Sequence, residues 1–303
     1  MEVNPLVSVC MITFNHEKFI REAIEGVLMQ EVDFDVEFII ADDASPDFTE
    51  GIVQDFIQNH PKGHWIKYFK HAENKGMMEN FIWTLYQSRG KYIAFCEGDD
   101  IWGDSHKLAK QTRILNSDST LVISFHQAEF ISELGVRSGK NLFSFNQDTV
   151  FSSDKIILGQ LIPLFSALFV NHKCLKNIPE SVFGIITGDI LIFTLLGQYG
   201  CAHYSCSISP SLYRLHYQSN WSSKSLFFQK NEILKSLIVI SSLVKPKYRP
   251  LLKKKICDYS YEIGKISKRE NMSYLSYFKR SIKIGVEIFY FKIIILSILK
   301  IIK

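Results

Sequence analysis

The chain has 303 residues, of which 47% are hydrophobic and 22% charged, a composition typical of a globular protein that buries a sizeable core. Its six cysteines contain no C-x-x-C pair, so we expect reduced thiols and neither a disulfide framework nor a zinc site. Only a short apolar stretch follows Glu2, so no secretory signal is expected and the prediction is a cytoplasmic protein.

The net charge of +4 is distributed unevenly along the chain. Residues 245–303 carry 15 Lys and Arg against 4 Asp and Glu, whereas residues 1–244 carry 20 against 27. The acidic part shows no surface suited to nucleic acid, and none is expected as a partner. The basic part is suited to an anionic partner such as a lipid surface.

The first third of the sequence alternates between apolar runs of strand length and segments with helical periodicity. Strand, helix, strand in succession predicts crossover connections and a parallel sheet covered by helices on both faces. Asn15 stands where the N-cap of the first helix is expected. The predicted strands are 6–14, 36–42, 65–69 and 91–96, and the predicted helices are 15–30, about 48–60 and 79–88.

The pattern is looser after residue 104, where Asp104 and Ser105 are suited to cap a helix that ends near Leu115. Strands are predicted at 120–126 and 211–216, a helix at 189–200, and only weak periodicity over 132–154. From about residue 225 the segments are helical and rich in lysine. We therefore predict a domain over 1–223, with a first part over about 1–105 and a second over about 106–223, and a basic helical extension over 224–303.

Polar residues follow three of the predicted strands at the point where each strand ends. They are Thr13-Phe14-Asn15, Asp42-Asp43-Ala44-Ser45 and Glu97-Gly98-Asp99-Asp100. Because ligands of such sheets bind beyond the carboxyl ends of the strands, we expect these residues to converge on one binding site.

The segment FCEGDDIW, residues 95–102, places three carboxylates within four positions directly after a buried strand. Close carboxylates raise one another's pKa, so such a cluster is costly unless a cation offsets it. Mg²⁺ or Mn²⁺ held by one or two carboxylates and by phosphate oxygens of a nucleotide diphosphate accounts for the arrangement. The alternative is a solvated acidic turn in which Asp100 caps a short helix.

Six segments together, over about residues 6–222, resemble the family 2 glycosyltransferases of the GT-A fold. They are VSVCMITFNHEKFIREAIEGVLMQ, EFIIADDASPD, NKG at 74–76, GKYIAFCEGDDIW, TGD at 187–189 and YRLHYQSNWS at 213–222. The resemblance implies an α/β, Rossmann-like, mostly parallel sheet with helices on both faces, followed here by the helical extension.

The resemblance also implies a set of residues that bind a nucleotide-sugar donor. Glu97-Gly98-Asp99 takes the place of the family's D-x-D motif, with glutamate as a departure at its first position. Metal contacts are implied for Asp99, His216 and Glu97. The implied donor-binding residues are Thr13, Phe14, Asn15, Asp42, Asp43, Asn74, Gly76, Glu97, Gly98, Asp99 and Asp100.

By the same resemblance Asp189 is the general base, although it is also suited to cap the helix that follows it. Asp43 and Asp47 are suited to shape a turn, and His216 to pack within a strand. His16 is expected at the surface. Trp102 and Trp221 are candidates for stacking on an acceptor sugar, with packing in the core or at the rim as the alternative.

The implied function is a metal-dependent, inverting glycosyltransferase that moves a sugar from a nucleotide diphosphate, by family default UDP, to a hydroxyl of a glycan or lipid-linked acceptor. Cell-surface polysaccharide synthesis is the expected setting. The alternative is an inactive relative that binds a nucleotide or glycan. The apolar segment 281–303 is interrupted by Glu287, Lys292 and Lys300, so peripheral contact with the inner face of a membrane is expected, against a hairpin that packs on protein.

Overall fold

A computed structural model describes residues 4–143, 145–217, 219 and 221–302. Gln218 and Asn220 of the segment 213–222, and the terminal residues 1–3 and 303, lie outside the described residues. The strands are β1 (Val7–Thr13), β2 (Val36–Asp42), β3 (Ile66–Lys70), β4 (Tyr92–Phe95), β5 (Leu121–His126), β6 (Ala128–Ser132), β7 (Arg137–Asn141), β8 (Thr149–Phe151), β9 (Leu168–Val170), β10 (Cys201–Ser205) and β11 (Ser211–Leu215).

The helices alternate with these strands in the first half of the chain and follow one another at its end. They are α1 (Ile20–Leu28), α2 (Thr49–Asn59), α3 (Met77–Gln87), α4 (Lys107–Ser117), α5 (Ser153–Ile157), α6 (Gly188–Leu196), α7 (Leu226–Ser241), α8 (Arg249–Arg269), α9 (Leu275–Glu287) and α10 (Phe291–Ile302).

Eight strands form the main sheet in the order β3-β2-β1-β4-β9-β5-β10-β8. The first four are parallel, and β9 and β8 run against their neighbours. All seven residues of β1 are buried, as are all seven of β2, because helices cover both faces of the sheet. A smaller sheet, β11-β6-β7, joins the main body through a bridge between Ile101 and Leu212.

Successive residues of β1 belong to two different hydrophobic clusters, one on each face of the sheet. Val9 and Met11 pack with residues of α1, α2 and α4, whereas Cys10 and Ile12 pack with residues of α3, α6, α7 and α8. This arrangement confirms the predicted α/β fold with helices on both faces and helices at the C-terminal end.

The first helix begins later than the sequence pattern predicts, so the assignment of Asn15 as its N-cap is wrong. α1 starts at Ile20, and Asn15 adopts a φ of 63°. The backbone N–H of Asn15 donates to Ser45 Oγ at 2.9 Å, which turns residues 15–19 across the end of β1 before the helix starts. The apolar periodicity of residues 19–28 is the same in either case, and it therefore did not show where the helix begins.

The C-terminal helices divide into two groups by what they pack against. Leu234, Leu237 and Leu252 of α7 and α8 belong to the core cluster of the main sheet. α9 and α10 instead pack through Phe278 and Ile293 against the far side of α8. No helix in the described part of the chain is both long and apolar enough to cross a membrane. The domain boundary near residue 223 stays a prediction.

The buried lysine of α4 is the least favourable charge in the core. Lys107 is fully buried, its ammonium lies 4.1 Å from the centre of the Trp102 ring, and it donates to Gln111 Oε1 at 2.8 Å. Burial lowers the pKa of Lys107 to about 7, and the charges of Cys96 and Asp104 only partly counteract that effect. An ammonium held in this way costs free energy that an apolar side chain of similar length does not.

We therefore expect Lys107→Met to raise the free energy of unfolding by about 1–3 kcal/mol at pH 7, measured by urea denaturation. Between pH 7 and about 10 the lysine is protonated in the unfolded state but largely neutral in the folded state. The free energy of unfolding of the wild-type protein therefore rises with pH over this range. The advantage of the variant should accordingly shrink at pH 9.5. Lys18→Met, at an exposed position, is the matched control, and an equal effect of both substitutions would contradict the prediction.

Candidate active site

A cavity of about 1040 Å³ opens at the carboxyl ends of β1, β2 and β4, where the sequence placed its polar clusters. Of the predicted site residues, the cavity is lined by Thr13, Phe14, Asn15, Asp43, Asn74, Gly76, Glu97, Asp99, Asp189, His216 and Trp221. Four others do not line it, namely Asp42, Gly98, Asp100 and Trp102. The segments therefore converge as parallel strands require.

Residues 97–100 form a tight turn and not the extended segment that would give Glu97 and Asp99 one orientation. The backbone N–H of Asp100 donates to the Glu97 carbonyl at 3.1 Å, and that of Gly98 donates to the Ile12 carbonyl at 3.2 Å. A Cβ at position 98 would lie 2.6 Å from His16 Nδ1 and 2.8 Å from Thr13 Oγ1. Glycine is required here because the turn packs directly on the end of β1.

The three carboxylates of this turn differ in their electrostatic environments. Burial, with the charges of Asp99 and Asp189, raises the pKa of Glu97 to about 8. Burial and its two acidic neighbours also raise the pKa of Asp100 well above its usual value. For Asp99, the opposing effect of burial is outweighed by His16 and His216, so its pKa is lowered and it stays ionised. The charge of the cluster is thereby concentrated on Asp99.

Asp99 and His216 form the pair best placed to hold a cation. His216 Nε2 lies 3.0 Å from Asp99 Oδ2, and the imidazole packs against the Phe19 ring at an angle of 49°, with ring centres 4.9 Å apart. In the described residues no group of three or more His, Cys, Asp or Glu side chains could hold a metal ion by itself. The 3.0 Å contact is a hydrogen bond between imidazole and carboxylate, and both are ligand types that would hold a divalent ion together with phosphate oxygens.

The two aspartates that follow β2 have different positions and partners. Asp42 is fully buried, and its carboxylate accepts from the Ser45 N–H at 2.7 Å and from the Tyr68 hydroxyl at 2.6 Å. Asp43 accepts from the N–H groups of Lys75 and Gly76 at 2.7 and 2.9 Å, which fixes the 74–76 loop at the cavity wall. Both carboxylates therefore organise loops, and Asp43 also faces the cavity.

Asp189 lies in the first turn of α6, whose N-cap is Thr187 and not Asp189. Burial raises the pKa of Asp189, although the Ile190 N–H and the charge of Lys255 act in the opposite direction. A raised pKa strengthens a carboxylate as a base. Among the residues that the structure describes, the buried Thr187 hydroxyl has no hydrogen-bond partner, so a polar atom of this turn is available to a ligand.

The two candidate tryptophans occupy different environments. Trp102 is 1% exposed, and its Nε1–H donates to the Phe165 carbonyl at 2.8 Å, so it packs in the core and presents no face to a sugar. Trp221 lines the cavity. For Trp102 the structure therefore shows packing in the core and not stacking on an acceptor sugar, because its ring is buried.

The family model for glycosyl transferase family 2 matches residues 8–169, more than half of the chain. The chain belongs to glycosyl transferase family 2. An uncharacterized protein of Mycobacterium tuberculosis is 33% identical over 180 residues, 59% of this chain and 51% of that protein. A Rickettsia bellii protein described as an uncharacterized glycosyltransferase is 30% identical over 184 residues, 59% of this chain and 24% of that protein. The match thus spans about half or less of these relatives.

Solved structures show the same fold at low sequence identity. TarS 1-349 of S. aureus in complex with UDP-GlcNAc has a TM-score of 0.58 and 15% identity, covering 85% of this chain and 82% of that one. The mannosyltransferase PcManGT of Pyrobaculum calidifontis, in complex with GDP-Man and Mn²⁺, has a TM-score of 0.54 and 13% identity, covering 99% and 86%. These likenesses confirm the GT-A fold of the family 2 chain.

Three side chains that line the cavity were not predicted from the sequence to do so. His16, expected at the surface, lines the cavity, and its buried Nδ1 has no hydrogen-bond partner within the described part of the chain. Lys255 and Tyr259 of α8 also line it. The position of His16 directly after the strand-end Asn15 was a usable signal, whereas no local pattern marks the two residues of α8.

Arg214 is the positioning residue that the sequence did not single out. Its side chain is 1% exposed, and it donates to the Asp99 carbonyl at 3.1 Å and to Glu22 Oε2 at 2.7 Å. Its backbone N–H donates to Asp100 Oδ1 at 3.2 Å. Arg214 thus ties the acidic turn both to β11 and to α1, and it supplies a buried positive charge beside the carboxylates.

We expect Arg214→Met to lower the free energy of unfolding by about 2–4 kcal/mol. The substitution leaves the backbone carbonyls and the Glu22 carboxylate without the hydrogen bonds and the positive charge that the guanidinium provides. Urea denaturation measures this loss. Arg137→Met is the matched control, since Arg137 pairs with Glu129 at 3.0 Å but is 55% exposed, and its loss should cost less than about 1 kcal/mol. Equal midpoints for the two variants would contradict the role of Arg214.

Proposed function

We propose that the chain transfers a sugar from a nucleotide-diphosphate donor to a hydroxyl of an acceptor, with inversion at the anomeric carbon. The observation that carries this proposal is the meeting of Glu97 and Asp99, from the end of β4, with Asp189 of α6 in one cavity. A metal-binding turn and a separate carboxylate base are the two groups that such a displacement needs.

The donor side of the proposed site consists of the loops after β1 and β2. The buried Thr13 hydroxyl has no hydrogen-bond partner among the described residues, and Asn15 and residues of the Asp43-anchored 74–76 loop also line the cavity. UDP is the first nucleotide to test, because it is the family's commonest carrier of the donor sugar and because TarS has been solved with UDP-GlcNAc and with UDP. GDP is the second, because PcManGT was solved with GDP-Man.

We propose Asp99 and His216 as the protein ligands of a Mn²⁺ or Mg²⁺ ion, with Glu97 beside them. Their separation of 3.0 Å and the ionised state of Asp99 support this assignment. When bound, such an ion offsets the charge that develops on the leaving diphosphate. Arg214 holds the backbone of Asp99, and His16 adds a second imidazole beside that carboxylate.

Asp189 is proposed as the general base. Its carboxylate takes the proton of the acceptor hydroxyl, the hydroxyl oxygen bonds to the anomeric carbon, and the bond from that carbon to the diphosphate oxygen breaks. The raised pKa of Asp189 makes its carboxylate a stronger base, and general-base assistance typically accelerates reactions about 10²–10⁴-fold. The acceptor is proposed to be a glycan or lipid-linked glycan in cell-surface polysaccharide synthesis.

A thermal-shift screen of UDP, GDP, dTDP and CDP, each with and without Mn²⁺, tests the donor site. We expect one nucleotide to raise the midpoint in a metal-dependent way, because a ligand that binds only the folded state stabilises it by mass action. Asp99→Asn, which keeps the side-chain volume but removes the charge, should abolish the metal-dependent part. No shift with any nucleotide in folded wild-type protein would refute the proposal.

Asp189→Asn is the matched control for this screen. It should keep the nucleotide shift, because Asp189 is assigned to the acceptor and not to the metal. Transfer or donor hydrolysis by this variant should fall about 10²-fold or more. A wild-type protein that binds the nucleotide but never breaks down any corresponding nucleotide sugar would support the alternative, an inactive binding relative.

We propose that α9 and α10 bring the protein to an anionic membrane surface. Large apolar side chains are exposed on α10, including Phe291 (65%) and Ile302 (76%), and in the turn between the two helices at Phe289 (78%). Exposed lysines and an arginine accompany them at Lys279, Arg280, Lys283, Lys292 and Lys300. Apolar side chains that insert and cations that meet anionic headgroups together favour peripheral attachment.

Vesicle sedimentation tests this attachment. We expect more protein to sediment with vesicles that contain phosphatidylserine than with neutral vesicles, and added salt should weaken the binding. Lys283→Gln should lower the affinity about fivefold, since one lysine near such a surface contributes roughly 1 kcal/mol. Phe291→Ser should also weaken it, whereas Phe48→Ser, at a 67% exposed position on another part of the chain, should not. A stable dimer without vesicle binding would instead favour packing on protein.

A further inference from the structure

The C-terminal extension contributes a buried cation to the cavity. Lys255 of α8 is 9% exposed and lines the cavity, and its ammonium lies directly against Gly159, which also lines it. In the part of the chain that the structure describes, the Lys255 side chain makes no hydrogen bond or ion pair. The centre of the Tyr259 ring is 6.0 Å from its Nζ.

An unpaired ammonium in this position is costly, and the protein does not offset that cost by itself. Burial lowers the pKa of Lys255 to about 8, and the charge of Asp189 only partly opposes this effect. If Lys255 served only to neutralise Asp189, the two side chains would be expected in direct contact, but no such pair is formed. A bound anion would restore the balance, because it offsets the charge that burial disfavours.

The surroundings of Lys255 place this charge near the proposed base. The charges of Lys255 and Asp189 each shift the pKa of the other, and the cavity is also lined by Ile190 and Phe193 of α6, the helix that carries Asp189, and by Ile233 of α7. Lys224, the other lysine that lines the cavity in the described part of the chain, is exposed. Of these two lysines only Lys255 is buried, and a buried charge attracts an anionic ligand more strongly than an exposed one does.

We propose that Lys255 determines acceptor specificity by binding an anionic group, a carboxylate or a phosphate, on the acceptor molecule whose hydroxyl faces Asp189. The proposal rests on the proposed function of the cavity and deepens it, because it names the class of acceptor. It also gives the C-terminal extension a part in acceptor binding: α8 supplies the contact that separates anionic sugars from neutral ones.

Binding of three probes tests this inference: glucose, glucuronate as the carboxylate and glucose 6-phosphate as the phosphate. Affinities are measured by calorimetry on the full chain, with and without saturating amounts of the nucleotide and Mn²⁺ that give the thermal shift. We expect at least one anionic probe to bind wild type about tenfold or more tightly than glucose. The carboxylate and phosphate arms show which anion the site accepts.

Lys255→Met should abolish this preference, and Lys255→Arg, which keeps the charge, should retain most of it. Lys224→Met is the matched control and should keep the preference. If no anionic probe binds wild type more tightly than glucose, or if the preference survives in Lys255→Met, the inference is overturned. Thermal denaturation verifies that each variant is folded, and Lys255→Gln serves as a second neutral variant if Lys255→Met is not.

The nucleotide shift separates this inference from the proposed function. Lys255→Met should show the wild-type metal-dependent shift, because Lys255 is assigned to the acceptor. A normal nucleotide shift without an anion preference would overturn the role of Lys255 and leave the donor site intact. The absence of any nucleotide shift in wild type would overturn the proposed function itself, and with it the acceptor role of Lys255.

Discussion

The repulsion among three carboxylates within four residues is the constraint on which the arrangement of the cavity depends. The structure meets it in two ways. Burial favours the protonated forms of Glu97 and Asp100, while His16 and His216 keep Asp99 ionised. Arg214 adds a buried positive charge and holds the turn through its backbone. The ionised carboxylate of Asp99 with its neighbouring imidazoles is the feature on which the proposed metal assignment rests.

The same contacts tie distant parts of the chain together. Arg214 joins β11 to the turn after β4 and to Glu22 of α1, so the acidic turn cannot shift without disturbing three elements. The bridge between Ile101 and Leu212 strengthens this connection from the main sheet to the small one. On the other side of the cavity, α7 and α8 add their apolar faces to the core and bring Lys255 and Tyr259 to the wall.

Local patterns predicted the site well where strand ends were concerned and less well where turns were. Thr13, Asp43, Glu97 and Asp99 meet because parallel strands carry their following residues to one edge of the sheet. The predicted start of α1 was wrong, because the periodicity of the apolar face of the helix does not reveal that residues 15–19 turn across the end of β1. That turn also brings His16 from its expected surface position into the cavity.

The sequence by itself determined the alternating strands and helices, the family to which the chain belongs and the acidic turn, because these depend on short segments and their order. The tertiary structure decided what those segments do to one another. Only packing shows that Trp102 is buried, that Arg214 carries the turn, and that Lys255 of a distant helix reaches the cavity. Burial and electrostatic interactions between residues far apart in sequence set the charge of each group, and such distances are fixed by the folded chain alone.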